Sequence, residues 1–148
     1  MPTIIPNYVY SLFAALIVGS IVVYACASAT AAMQSRAQTQ QLTNIDQYVA
    51  AEALTLLSHT TQENQTASCI LDLPSSVGNQ RYWISLDTDS SGAWVRSGFG
   101  VDVHPTSFGV YVPAEVQASG SFVGGSGRSM LLCHFENQVA TLMLTVND

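Results

Sequence analysis

The chain has 148 residues, 48 % of them hydrophobic, with ten carboxylates, four arginines, no lysine and a formal net charge of −6. That length holds one ordinary domain, or a small domain with an anchor. The acidic balance and four scattered arginines exclude a nucleic-acid-binding surface, which needs a basic patch to neutralise phosphates, and they argue against electrostatic docking on an anionic membrane.

The first charged side chain is Arg36, and Tyr8 to Met33 contains no charge, no proline and no amide. A helix needs about 20 residues to cross a hydrocarbon core, so this stretch is long enough to span one. A signal peptide is the competing reading, with small residues for cleavage at ACASA or ATA between positions 25 and 31. However, its apolar region is usually shorter and follows a basic segment, and residues 1–7 (MPTIIPN) carry no Lys or Arg. The expectation is a retained segment. Pro6 and Asn7 suit a helix start. No proline follows until Pro74, and Gly19 is the only glycine before Gly78.

Beyond the apolar stretch, Leu42, Ile45, Val49, Ala53 and Leu56 are spaced by 3, 4, 4 and 3, which is one apolar face of a helix. Tyr48 and Leu57 broaden the stripe. The pattern predicts one helix from about 7 to 59, apolar over 8–33 and amphipathic over 34–59, within an N-terminal segment 1–63. Its first half must be surrounded by lipid or by other helices. The small pairs Ala15/Gly19 and Ser28/Ala32 let helix backbones approach closely and mark the expected helix-packing positions.

From Asn64 the period changes from helical to alternating. Short β-rich runs occupy 68–73, 81–86, 93–99, 100–103, 108–112, 115–123, 128–135 and 139–146, separated by Pro, Gly and Ser/Asp clusters. This spacing predicts a β-rich domain over 64–148, a small antiparallel sandwich or barrel, making the whole chain α+β. Cys69 and Cys133 each lie in an apolar run. One disulfide between them is expected, implying an extracytoplasmic domain; two buried free thiols are the alternative. Asn64-Gln65-Thr66 is the single N-x-[ST] sequon, placed where helix gives way to strand, so Asn64 is the glycosylation candidate.

Signals for catalysis or cofactors are weak. Asp87-Thr-Asp-Ser-Ser-Gly92 begins like a calcium loop, but Gly98 stands where the bidentate Glu belongs and the flanks are strands, so an acidic hairpin turn is expected. His59, His104 and His134 lack zinc-ligand spacing. GGSG at 124–127 lacks the Lys and Ser/Thr of a phosphate loop, and no nucleophile elbow occurs. No catalytic residue, metal site or cofactor is expected.

An apolar helix that continues as an amphipathic one into a lysine-poor β-domain resembles the type IV pilin superfamily. The resemblance is closest to the archaeal branch of pilins, archaellins and archaellum accessory subunits. It is carried by residues 8–57 and the β-like runs. It implies a non-enzymatic structural subunit of a cell-surface filament, held in the membrane before assembly. Residues 8–32 would bundle with copies of themselves in the core, and the domain from residue 67 would lie outside. The basic leader of family precursors is not found in residues 1–7, nor is a glutamate near the helix start as in bacterial pilins. Uncleaved relatives act as stator-like subunits that bind a surface layer, so a membrane-anchored β-domain holding a surface-layer or motility partner is the second expectation. Arg36, just past the apolar stretch, pulls towards the cytoplasm; the expected disulfide and sequon place the domain outside.

Overall fold

The structure, a computed structural model, describes residues 4–63, 66–103, 109–112, 116–136 and 139–147. The chain divides into two units, one ending at Thr39 and the other starting at Gln40. Helix α1, Ile4–Glu63, supplies all the described structure of the first and opens the second. Seven strands follow: β1 Ala67–Leu71, β2 Tyr82–Asp89, β3 Gly92–Phe99, β4 Val110–Val112, β5 Val116–Val123, β6 Arg128–Glu136 and β7 Val139–Asn147. The α+β class is as expected. The predicted strand at 100–103 is absent, because Gly100, at φ +110°, turns the chain out of the strand. Asn64, His104 and the residues around Pro113 lie outside the described residues.

In the first unit the aliphatic hydroxyls of the apolar stretch all turn back onto the helix. Ser11 donates to the Tyr8 carbonyl at 2.8 Å, Ser20 to Ile17 at 2.8 Å, Ser28 to Ala25 at 2.9 Å and Thr30 to Cys26 at 2.9 Å. Each polar group is thereby paired without water, as an apolar surrounding demands.

In the second unit the strands form one curled mixed sheet ordered β1-β6-β7-β5-β2-β3-β4, where the alternation predicts an antiparallel sandwich. All neighbours are antiparallel except β5 and β7. Strand β7 lies between β5 and β6, so the Gly124–Gly127 connection from β5 to β6 must pass the end of β7. Gly125 and Gly127 take the positive φ values, 82° and 136°, that this tight passage needs. Gly120 is the corner. Up to it β5 pairs with β7; after it, from Ser121, β5 pairs with β2. At φ +116°, with the Leu144 carbonyl oxygen 2.2 Å from where a Cβ would stand, position 120 admits only glycine.

Alternation along the strands builds the core. Leu71, Ile84, Leu86, Val95, Val112, Ala118, Phe122, Leu131, Cys133, Leu142 and Leu144 all point to one face. Against them pack Leu42, Val49, Ala50, Ala53, Leu56 and Leu57 of α1, so the stripe read from the sequence is the face that meets the sheet. Tyr48 stays exposed and does not broaden it. Buried hydroxyls are paired: Thr60 donates to the Leu56 carbonyl at 2.6 Å, and Ser129 to the Leu71 carbonyl at 3.1 Å.

Candidate functional site

Two surfaces present themselves, one in each unit. On the first, every large apolar side chain from Tyr8 to Tyr24 is exposed, and Tyr24 reaches 78 %. They lie on all sides of the helix, as residues distributed over a 3.6-residue period must. A soluble monomer does not display so large a contiguous apolar surface. The helix is long and apolar enough to cross a membrane, as an anchor or a signal. Ala15 and Gly19 sit on this stretch and Ser28 and Ala32 follow it, all four exposed, and the space around Gly19 is open. The 13-residue offset between the two pairs turns them roughly 140° apart, so they lie on two separate sides of the helix.

On the second unit the candidate surface is the outer face of the sheet. The hairpin β2–β3 places Trp94 opposite Asp87 and Arg96 opposite Ser85, and β4 places Tyr111 opposite Trp94. The two rings meet edge to face at 5.3 Å. Arg96 bridges Asp89 at 3.3 Å and Asp87 at 3.9 Å. Asp89 accepts hydrogen bonds from the backbone N–H of Ser91 at 2.8 Å and from its hydroxyl, which hold the Asp89 carboxyl below its ordinary range. The loop expected as an acidic turn is therefore this two-residue hairpin, closed by Gly92. Trp83, 2 % exposed, lies flat on Gly98, where a Cβ would stand 2.6 Å from the ring.

Beside this cluster the sheet opens. The pairing of β2 with β5 ends at Ser85↔Ser121. Further along, the Thr88 hydroxyl joins them, accepting from the Ala118 N–H at 2.5 Å and donating to the Ala118 carbonyl at 3.1 Å. The gap is a groove of about 480 Å³, with Asp87, Gln117, Ser119 and Thr141 along it.

The two cysteines expected to bond are free thiols. The register gives the reason: Cys69 stands opposite Leu131, and Cys133 opposite Ala67. Diagonal neighbours of this kind lie about 7–8 Å apart, too far to bridge without moving the backbone. The Cys69 thiol instead lies 3.8 Å from the Glu52 carboxylate, and desolvation, with the Glu52 charge, pushes it up. His134 is exposed on β6, with Nδ1 2.7 Å from the Thr66 hydroxyl. Among the described residues no three His, Cys, Asp or Glu side chains gather as metal ligands.

One buried polar residue escaped the sequence reading. Asp46, 8 % exposed, accepts a hydrogen bond from the Ser97 hydroxyl at 2.7 Å through Oδ2, while its buried Oδ1 has no partner among the described residues. Burial pushes its carboxyl up to about 6, the Ser97 bond opposing only in part. The signal was available: position 46 falls on the apolar stripe between Leu42 and Val49.

Comparison with family models, with curated proteins and with solved structures finds no match to this chain.

Proposed function

We propose that the chain is a structural subunit of a cell-surface filament of the type IV pilus kind, its apolar helix packed in the filament core and its β-domain outside. The observation that carries this reading is the exposed apolar surface from Tyr8 to Tyr24 on a helix uncharged as far as Arg36. Helices of other copies would bury that surface, and the close-approach positions at Ala15/Gly19 and Ser28/Ala32 give each helix two sides on which to pack. The core would then be a bundle of uncharged helices, with the chain's charged residues kept outside it.

The same exposed helix, with its hydroxyls satisfied internally, also suits a lipid surrounding. The second reading is therefore a single-pass anchor carrying a β-domain that holds a surface-layer or motility component. With Cys69 and Cys133 unbonded, only the Asn64 sequon argues for an external domain.

Electron microscopy of sheared cell-surface material, with mass spectrometry of its main band, decides between the two. Filaments containing this chain support the first reading; its confinement to the detergent-soluble membrane fraction supports the second. The double variant Ala15→Leu/Gly19→Leu adds bulk at the proposed contact. It should abolish filaments while leaving membrane insertion intact, and unaltered filaments would refute that packing face.

A further inference from the structure

The outer face of the sheet carries chemistry that neither reading uses. Tyr111, Trp94 and Asp87 follow one another across β4, β3 and β2 in direct register, and the groove then continues the row through Gln117 and Ser119 of β5 to Thr141 of β7. At about 4.8 Å per strand the row runs for roughly 19 Å, the length of a short oligosaccharide. Among the described residues no hydrogen bond engages the side chains of Gln117, Ser119 or Thr141, and the Asp87 contacts fall on Oδ2, leaving Oδ1 available. Tyr111 is 44 % exposed.

We propose that this row binds a neutral oligosaccharide, a C–H face of one ring resting on Trp94 and Tyr111 and the hydroxyls of the next rings lying in the groove. A sugar ring has an apolar face and a polar rim. Indole and phenol rings match the first, and a carboxylate, an amide and two hydroxyls match the second with both donors and acceptors. A strand-like peptide fits less well, because the row runs across the strands, whereas backbone pairing would need a peptide lying along one of them. An acidic polymer is disfavoured by Asp87 and Asp89, which outnumber Arg96, and by the net charge of the chain. The proposal holds whether or not the chain polymerises.

The test uses the full chain in a polyoxyethylene detergent, which lacks a sugar head group. Tetramers of β-1,4-linked glucose, β-1,4-linked N-acetylglucosamine and α-linked mannose are titrated while tryptophan fluorescence is followed. Trp94 reports; Trp83 is shielded from solvent. Saturable change is expected with at least one tetramer. Binding should weaken about tenfold or more in Tyr111→Ala and in Gln117→Ala, the second an exposed position whose loss leaves the core untouched. Absence of a saturable response to all three tetramers would overturn the proposal. So would unchanged affinity in both variants, or tighter binding of polygalacturonate than of any neutral tetramer.

Discussion

Replacing Asp46 by Asn removes the ionisable charge from the side chain that holds the one buried polar atom, among the described residues, without a partner, and its effect on stability should depend on pH. In the fold the Asp46 carboxyl titrates at about 6 against an ordinary value of 3.8. A carboxyl whose folded value is raised stabilises the fold most when protonated, below 3.8; that contribution is lost as pH rises through about 6. The gap corresponds to about 3 kcal/mol at 1.36 kcal/mol per unit. Asparagine keeps an acceptor for the Ser97 hydroxyl and carries no charge, but its amide N–H₂ introduces donors, which at ~1 kcal/mol offset part of the gain. Asp46→Asn should therefore stabilise the second unit by about 1–2 kcal/mol at pH 8 and by little or nothing at pH 4.5. Urea unfolding of the full chain in detergent, followed by the fluorescence of buried Trp83, reads both values. Other carboxylates titrate in the same range, so the quantity that counts is the difference between variant and parent at each pH. A difference that does not change with pH, or a variant less stable at pH 8, would refute the assignment of Asp46 as a buried charge.

The strand corner and the outer face make equally direct predictions. Gly120→Ala combines an unfavourable φ with a collision against the Leu144 carbonyl and should cost about 3 kcal/mol or more, seen as a large fall in melting temperature. Gly98→Ala should displace the Trp83 ring and shift its emission to the red, with a smaller loss of stability because a side chain can yield where backbone cannot. Maleimide labelling without reductant should modify Cys69 in the folded protein and Cys133 only after denaturation; failure of both to label under denaturing conditions would mean a disulfide.

The helix and most of the strands were legible because their apolar periods are clean. Leu42, Val49, Ala53 and Leu56 repeat at helical spacing over a segment without proline, and no other element competes for those residues. The sheet's connectivity was not legible. A GGSG between two β-rich runs reads as a hairpin, yet β7 is inserted between the strands it joins, and pairing partners leave no local mark in an alternating pattern. The GVDV run alternates as a strand should but follows Gly100, whose positive φ takes the chain away from the sheet edge. The cysteine pair failed on a register of two residues, which composition cannot resolve. The outer-face row was present only as alternation, with Trp94 and Arg96 between Ala93, Val95 and Ser97. Its meaning emerges once Asp87, Gln117 and Thr141 are brought beside it by strands distant in sequence.

The place of β7 has a consequence for the timing of folding. Of the seven strands, the last to leave the ribosome is the one that joins β6 on one side to β5 on the other. Until residues 139–147 have emerged, β1 and β6 can pair with each other, and β5 with β2, but the two groups have nothing between them. The core facing α1 cannot close, because Leu142 and Leu144 are missing from its middle. Non-local closure of this kind is slow and comes late. The apolar helix precedes all seven strands, so it is complete while the sheet behind it is still open.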